Sequence, residues 1–256
     1  MVFNKYYKYV FSALLIIFII LGISTNLFAQ GIPIPKISIG ISEATKPTEV
    51  ALGLQILFIF TILALAPSII MMVTPFVRIS IVLMFMRQAL ATQQMPSNQI
   101  LIGLAIFMTF FIMSPTISQI NQKAVKPFTS GNISAEKAFE NAVDPLRKFM
   151  FKNARDKDLA LFLNISKLER PKSRDDVPTY ILIPAFMVSE IMSGFQMGLL
   201  LFIPFIVIDM VVASVLMSMG MIMLPPIMIS FPFKLMLFVM VDGWNLLIQA
   251  IVKSFH

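Results

Sequence analysis

Long charge-free apolar runs alternate along this chain with short polar breaks, and one stretch near the middle reverses the pattern. The first run covers residues 50–77, and its core, 52–73, exceeds the roughly 20 residues a helix needs to cross hydrocarbon. Pro67 and Pro75 predict a kink or break in its later part. Arg78 and Arg87 bracket an apolar piece too short to span, which reads as a lateral or re-entrant helix, and a polar turn containing Pro96 follows. A second charge-free run covers 100–120 and is interrupted near its end by Ser114-Pro115. After residue 177 almost everything is apolar again. Hydropathy there reads as two long spans or three shorter elements, with proline marking 181–204, 205–224, and 231–252 beyond Pro225-Pro226.

The ends and the middle differ from these runs. Residues 1–29 read as a cleaved signal: Lys5 and Lys8 precede an apolar stretch, and cleavage is expected after Ala29, a retained signal anchor being the alternative. Residues 30–49, with three prolines, read as an exported arm. Between them and the C-terminal region, residues 50–122 form a first hydrophobic helical region and 179–256 a second. The stretch 123–178 carries 20 charged residues, 12 basic and 8 acidic, and is expected to be a water-exposed helical module. Within it Ser134 predicts an N-cap with Glu136 in the first turn of a helix reaching Met150. A second amphipathic helix is expected over 156–168.

Composition agrees with the pattern and narrows the chemistry. Hydrophobic residues make up 58% and charged residues 13%, about half the charged share of soluble domains, and the mean hydropathy is +0.87. Cysteine is absent and the one histidine is His256, which excludes thiolate chemistry and leaves no basis for histidine catalysis or a metal site. The net charge of +7 is spread along the chain, as expected for loops facing lipid headgroups rather than nucleic acid.

Lone charges in apolar sequence are therefore the informative residues. Glu190 shares a helical face with Gly194 and Gly198, a small-xxx-small spacing that permits close helix approach. Either assembly through an interhelical pair or the lining of a path explains a carboxylate there. Asp209, Lys234 and Asp242 are similarly isolated; Lys234 with Asp209 or Asp242, in one chain or between chains, is the simplest neutralisation, and snorkelling of Lys234 to a lipid headgroup is the alternative. Eleven methionines fall between Met187 and Met240, four of them at 217, 219, 221 and 223 before the double proline. Flexible apolar side chains at a break suit bland filling or a hydrophobic constriction. No P-loop, dinucleotide fingerprint, zinc-protease motif or nucleophile elbow is present, so an enzyme and a bound cofactor are not expected.

Three ordered blocks of sequence carry a resemblance. The first runs from Thr74-Pro75-Phe76-Val77-Arg78 through Arg87-Gln88-Ala89-Leu90 to Phe110-Phe111-Ile112-Met113-Ser114-Pro115. The second spans 184–198 and leads into Phe202-Ile203-Pro204-Phe205 and Ile208-Asp209. The third joins Gly220-Met221-Ile222-Met223-Leu224-Pro225-Pro226, Pro232-Phe233-Lys234 and Asp242-Gly243-Trp244. Together they resemble the FliP family of the flagellar type III export apparatus over most of residues 50–250.

The resemblance implies an all-α membrane protein of proline-broken helical hairpins, packed in a helical ring-like oligomer with FliQ-like and FliR-like gate subunits. It implies FlhA-like and FlhB-like export partners, and a channel for unfolded flagellar proteins in the inner membrane of the basal body, much of it on the periplasmic side. The family's methionine gasket maps onto Met221, Ile222 and Met223, with Ile222 replacing the usual middle methionine. A cleaved signal followed by a first span running inward places Arg78 and Arg87, by expectation, on the cytoplasmic side and 123–178 in the periplasm. The rival reading is a secondary transporter or ion channel that uses Glu190, Asp209 and Lys234 as a charged path.

Overall fold

The computed structural model describes residues 47–92, 94–166, 171, 173–174, 176–221 and 223–255, with side chains from Gly53 onward. The expected signal segment, nearly all of the arm, Ile222 and His256 lie outside the described residues. The chain divides into two units, 1–55 and 56–256, and of the first only the helical stretch 47–55 is described. Among the described residues every regular element is helical.

Helix α1 (Pro47–Met72) is apolar all round and exposes Leu57, Phe58, Leu63 and Ile70. It ends where Pro75 disfavours helical geometry at the preceding residue. Helix α2 (Phe76–Ala89) is the buried centre of the fold: Ile79, Val82, Leu83 and Met86 follow helical spacing and have essentially no exposed surface. It packs chiefly against α7 (Thr179–Ser218) and α3 (Asn98–Ile120). Leu101, Ala105, Met108 and Ile112 form the inward face of α3.

A π-helical turn, Asn121–Val125, and the short α4 (Lys126–Thr129) carry α3 into the charged stretch. There α5 (Ala135–Asn153) starts where Ser134 Oγ accepts a hydrogen bond from the Lys137 N–H, as its sequence predicts. Helix α6 (Asp156–Ser166) follows. Met150 of α5 joins Leu182 and Phe186 of α7 in a second, smaller apolar cluster.

Of the two readings of the C-terminal region, the structure follows two long apolar stretches, the second of them bent, rather than three proline-bounded elements. Residues 181–204 and 205–224 are not two elements: α7 runs unbroken for 40 residues through Pro184 and Pro204. Likewise Pro115 lies inside α3 and Pro232 inside α8 (Pro226–Met240). Each interior proline removes one N–H···O=C bond, whereas a break leaves several backbone groups without partners, the larger cost in apolar surroundings. The chain turns instead at Gly220, whose positive φ of 74° suits glycine. The Met221 N–H reaches back to Leu216 O and the Gly220 N–H to Met217 O, a Schellman closure of α7. Between α8 and α9 (Gly243–Lys253) the path bends by 67°.

Three described stretches, Gly53–Met72, Asn98–Thr129 and Thr179–Ser218, are long and apolar enough to cross a membrane, and a fourth if α8 and α9 count as one broken span. A helix of 40 residues is about 60 Å long, roughly twice the hydrocarbon thickness. Part of α7 therefore projects beyond the lipid or lies against protein.

Candidate functional site

Arg78 enters from the first turn of α2 and Glu190 from the middle of the module-facing half of α7, and the two form a buried salt bridge. The other guanidinium arm, Nη1, donates to the Ser254 carbonyl at 3.0 Å and to Ser254 Oγ at 3.1 Å. The guanidinium carbon lies 4.0 Å from the centre of the Phe255 ring. One arginine thus ties α2 and α7 to the turn that ends α9. The pair engages one carboxylate oxygen; Glu190 Oε2 and Arg78 Nε have no hydrogen-bond partner among the described residues.

Gly194 and Gly198 continue the Glu190 face along α2. A Cβ on Gly194 meets Ile81 Cβ at 3.0 Å, and one on Gly198 meets Phe85 Cγ at 2.5 Å. The small-residue face is therefore occupied within the chain, where Phe85 also makes edge contacts with Phe195 and Phe202.

The second charged group joins α7 to α8. Lys234 Nζ lies 2.6 Å from Asp209 Oδ2, and Ser230 Oγ donates to Asp209 Oδ1. Lys234 is buried while the Asp209 side chain keeps 31% of its surface. Of the two carboxylates expected for Lys234, the chain brings Asp209 to it. Asp242 instead sits between α8 and α9 in the left-handed region, φ 52°, and accepts from Asn245 Nδ2 at 3.0 Å. Gly243 beside it is required by close approach, since a Cβ there falls 2.0 Å from the Phe238 ring.

Arg78 and Arg87, paired in the sequence as basic residues of one membrane side, lie in different surroundings. Arg78 is interior, whereas Arg87 donates to Asn98 Oδ1 at 2.6 Å and to Pro96 O at 3.3 Å, holding the loop between α2 and α3. In the methionine loop after α7, Met223 is 97% exposed, and Met217, Met219 and Met221 are exposed with it.

A third polar group has no counterpart in the sequence reading. Asp158 in the first turn of α6 is buried and accepts from Arg155 Nε at 2.7 Å and from Ser189 Oγ at 2.7 Å. Burial alone raises the pKa of its carboxyl. The hydrogen bonds from Arg155 and Ser189, with the charges of Arg155 and Lys157, outweigh it and hold the group below its ordinary value. Arg147 of α5 adds a second tie, donating to Val177 O at 2.7 Å and to Thr179 Oγ1 at 2.5 Å. The signals that point to Asp158 and Ser189 are slight: a carboxylate three residues after an arginine, and a serine beside the isolated Glu190.

Among the described residues no cluster of three metal-ligating side chains occurs. Two of the ion pairs, Arg78–Glu190 and Lys234–Asp209, join separate helices.

These features define a helical membrane-span-capable protein whose interior charges fasten its helices together while much of its apolar surface stays uncovered. The FliP family model matches residues 59–251. A Bacillus subtilis relative named flagellar biosynthetic protein FliP is 51% identical over 217 residues, covering 85% of this chain and 98% of the relative. Relatives of the same name from Treponema pallidum and Aquifex aeolicus are 50% and 43% identical over 224 and 225 residues. Each covers 87% of this chain, and the matches take in 83% and 92% of those relatives. The chain belongs to the FliP family.

Proposed function

We propose that this chain is a core subunit of the flagellar type III protein export gate. In this reading copies of it, with FliQ-like and FliR-like subunits, enclose the channel through which unfolded flagellar proteins are secreted. FlhA-like and FlhB-like components deliver those proteins. The observation that carries the reading is the family match over 59–251, which takes in the buried core, the charged module and the methionine loop together. The shared name of the relatives ties that family to flagellum biosynthesis.

Uncovered apolar surface supports an assembled state. Phe107 and Phe111 on α3, Leu200 and Met210 on α7, and Met236 and Met240 on α8 are all exposed in the single chain. Residues 1–29 act as a cleaved signal, 123–178 as a periplasmic module, and the assembly sits in the inner membrane of the basal body. Met221, Ile222 and Met223 form the gasket that closes the channel. Glu190 and Asp209 are each engaged by a cation, which favours helix fastening over a solute path.

The test is twofold. A flagellated bacterium lacking its own FliP, complemented with this chain, is expected to regain motility and to release flagellin into the medium. The chain purified in mild detergent is expected to co-purify in a large complex with gate subunits. A monomer or dimer that moves a solute and restores no secretion overturns the proposal.

A further inference from the structure

We propose that Asp158 is a positioning residue: through Ser189 it sets the rotation of α7 at which Glu190 meets Arg78, coupling the charged module to the core ion pair. The argument starts from helix geometry. Successive residues of an α-helix are about 100° apart, so Ser189 and Glu190 necessarily point to neighbouring faces of α7. Ser189 faces the module, on the same side as Leu182 and Phe186, which pack against Met150 of α5. Glu190 faces α2, on the same side as Gly194 and Gly198. Turning α7 far enough to free one contact displaces the other.

The apolar contacts, with Gly194 against Ile81 and Gly198 against Phe85, resist that rotation through shape. A hydroxyl between fixed partners adds a directional constraint on the module side. Ser189 Oγ accepts from the Arg155 N–H at 3.0 Å, and its single proton has Asp158 Oδ2 at 2.7 Å and Ala185 O at 2.9 Å within reach. An ionised carboxylate is the stronger acceptor. Arg155 Nε in turn holds the same carboxylate oxygen, so Asp158 is itself fixed in the first turn of α6. Ser189 is fully buried, so water does not replace these bonds once they are lost. A force or partner that moves α6 is therefore felt at Glu190, one residue away on α7.

The absence of cysteine from the chain supplies a direct probe. A Cβ on Gly194 falls 3.0 Å from Ile81 Cβ, closer than the roughly 3.5–4.5 Å a disulfide needs, so a slight easing of α7 from α2 brings the pair into range while a turn of α7 carries it away. The full-length pair Ile81→Cys/Gly194→Cys in detergent therefore reads the rotation of α7 against α2 by its rate of oxidative cross-linking. Asp158→Asn and Ser189→Ala are expected to slow cross-linking by about tenfold, the order of effect of losing a buried hydrogen bond to a charge. Ser189→Thr, which keeps the hydroxyl but adds a methyl to a buried site, is expected to lie nearer the parent rate than Ser189→Ala. In parallel, on chains without added cysteines, amide exchange across 186–198 is expected to rise with Asp158→Asn and Ser189→Ala and to rise less with Ser189→Thr. Loosening of α5 and α6 alone, with unchanged exchange across 186–198, overturns the coupling whether or not the cysteine pair forms. Both measurements read the geometry of the chain itself, so they stand apart from the proposed export role.

Discussion

Arg78 and Glu190, 112 residues apart in sequence, meet in the interior with side chains 5% and 0% exposed. Removing one partner strands the other charge in apolar surroundings, which costs about 3–5 kcal/mol. Glu190→Leu and Arg78→Met are each expected to lower the thermal midpoint of the detergent-solubilised protein sharply. The double substitution is expected to recover much of the loss, because no charge then remains to be buried. A double variant as unstable as the sum of the singles rules out the pair as the cause.

The ion pair of α7 with α8 is unequal, and the inequality sets a direction. Lys234 is 4% exposed on its side chain and Asp209 31%. Lys234→Met leaves a carboxylate that still reaches the surface and keeps its Ser230 hydrogen bond. Asp209→Ala leaves an enclosed ammonium. Asp209→Ala is therefore expected to be the more destabilising, by about 1–3 kcal/mol, the cost of an unsatisfied buried polar group. Equal losses in thermal melts of the two variants contradict this account.

Close packing at the small-residue face yields a rank order. A Cβ on Gly198 lies 2.5–2.9 Å from ring and Cβ atoms near the base of Phe85, which yield only if backbone moves, whereas one on Gly194 lies 3.0–3.3 Å from Ile81. Gly198→Ala is expected to cost about 1–3 kcal/mol of stability by overpacking, and Gly194→Ala less. Phe85→Ala in the Gly198→Ala background is expected to be less harmful than in the parent, since it removes the atoms that clash. Denaturation of the four variants in one detergent provides the check.

Much of this arrangement was legible, and the illegible parts share a cause. Ser134 announced α5 because an N-cap is a local device. Lys234 pointed to a carboxylate because lone charges in apolar sequence must be matched, but the choice of Asp209 over Asp242 came only with the packing of α7 against α8. The length of α7 was hidden because prolines mark helix ends in water, while in apolar surroundings Pro184 and Pro204 each remove only one bond. Arg78 read as a flank of a short helix because nothing local links it to Glu190. Asp158 was concealed among 20 charged residues, and its burial depends wholly on the docking of α6 against α7.

Acid should loosen that docking in one direction only. The folded-state pKa of Asp158 lies below its ordinary value. Its contribution to stability is therefore present above the unfolded pKa of about 3.9 and is lost as pH falls through the folded value. Amide protection of α6 is expected to be flat from about pH 8 to 5 and to drop below about pH 4. In Asp158→Asn the step assigned to this group is expected to vanish, leaving a lower and flatter profile. A parent chain whose α6 loosens near neutral pH contradicts the assignment.

The methionine loop separates fold from gating. Met223 is 97% exposed and Met221 is also exposed, so neither contributes to the packed interior of the single chain. Surface substitutions of this kind change stability by about 0.5 kcal/mol or less. Met221→Ala with Met223→Ala is therefore expected to leave the thermal midpoint of the isolated chain near its parent value. If the proposed gasket is correct, the same variant in cells lets small molecules leak across the inner membrane, because shorter side chains leave a constriction that water can fill. A tight membrane with normal assembly removes the gasket role from these residues. A large loss of stability shows instead that the loop packs against the fold.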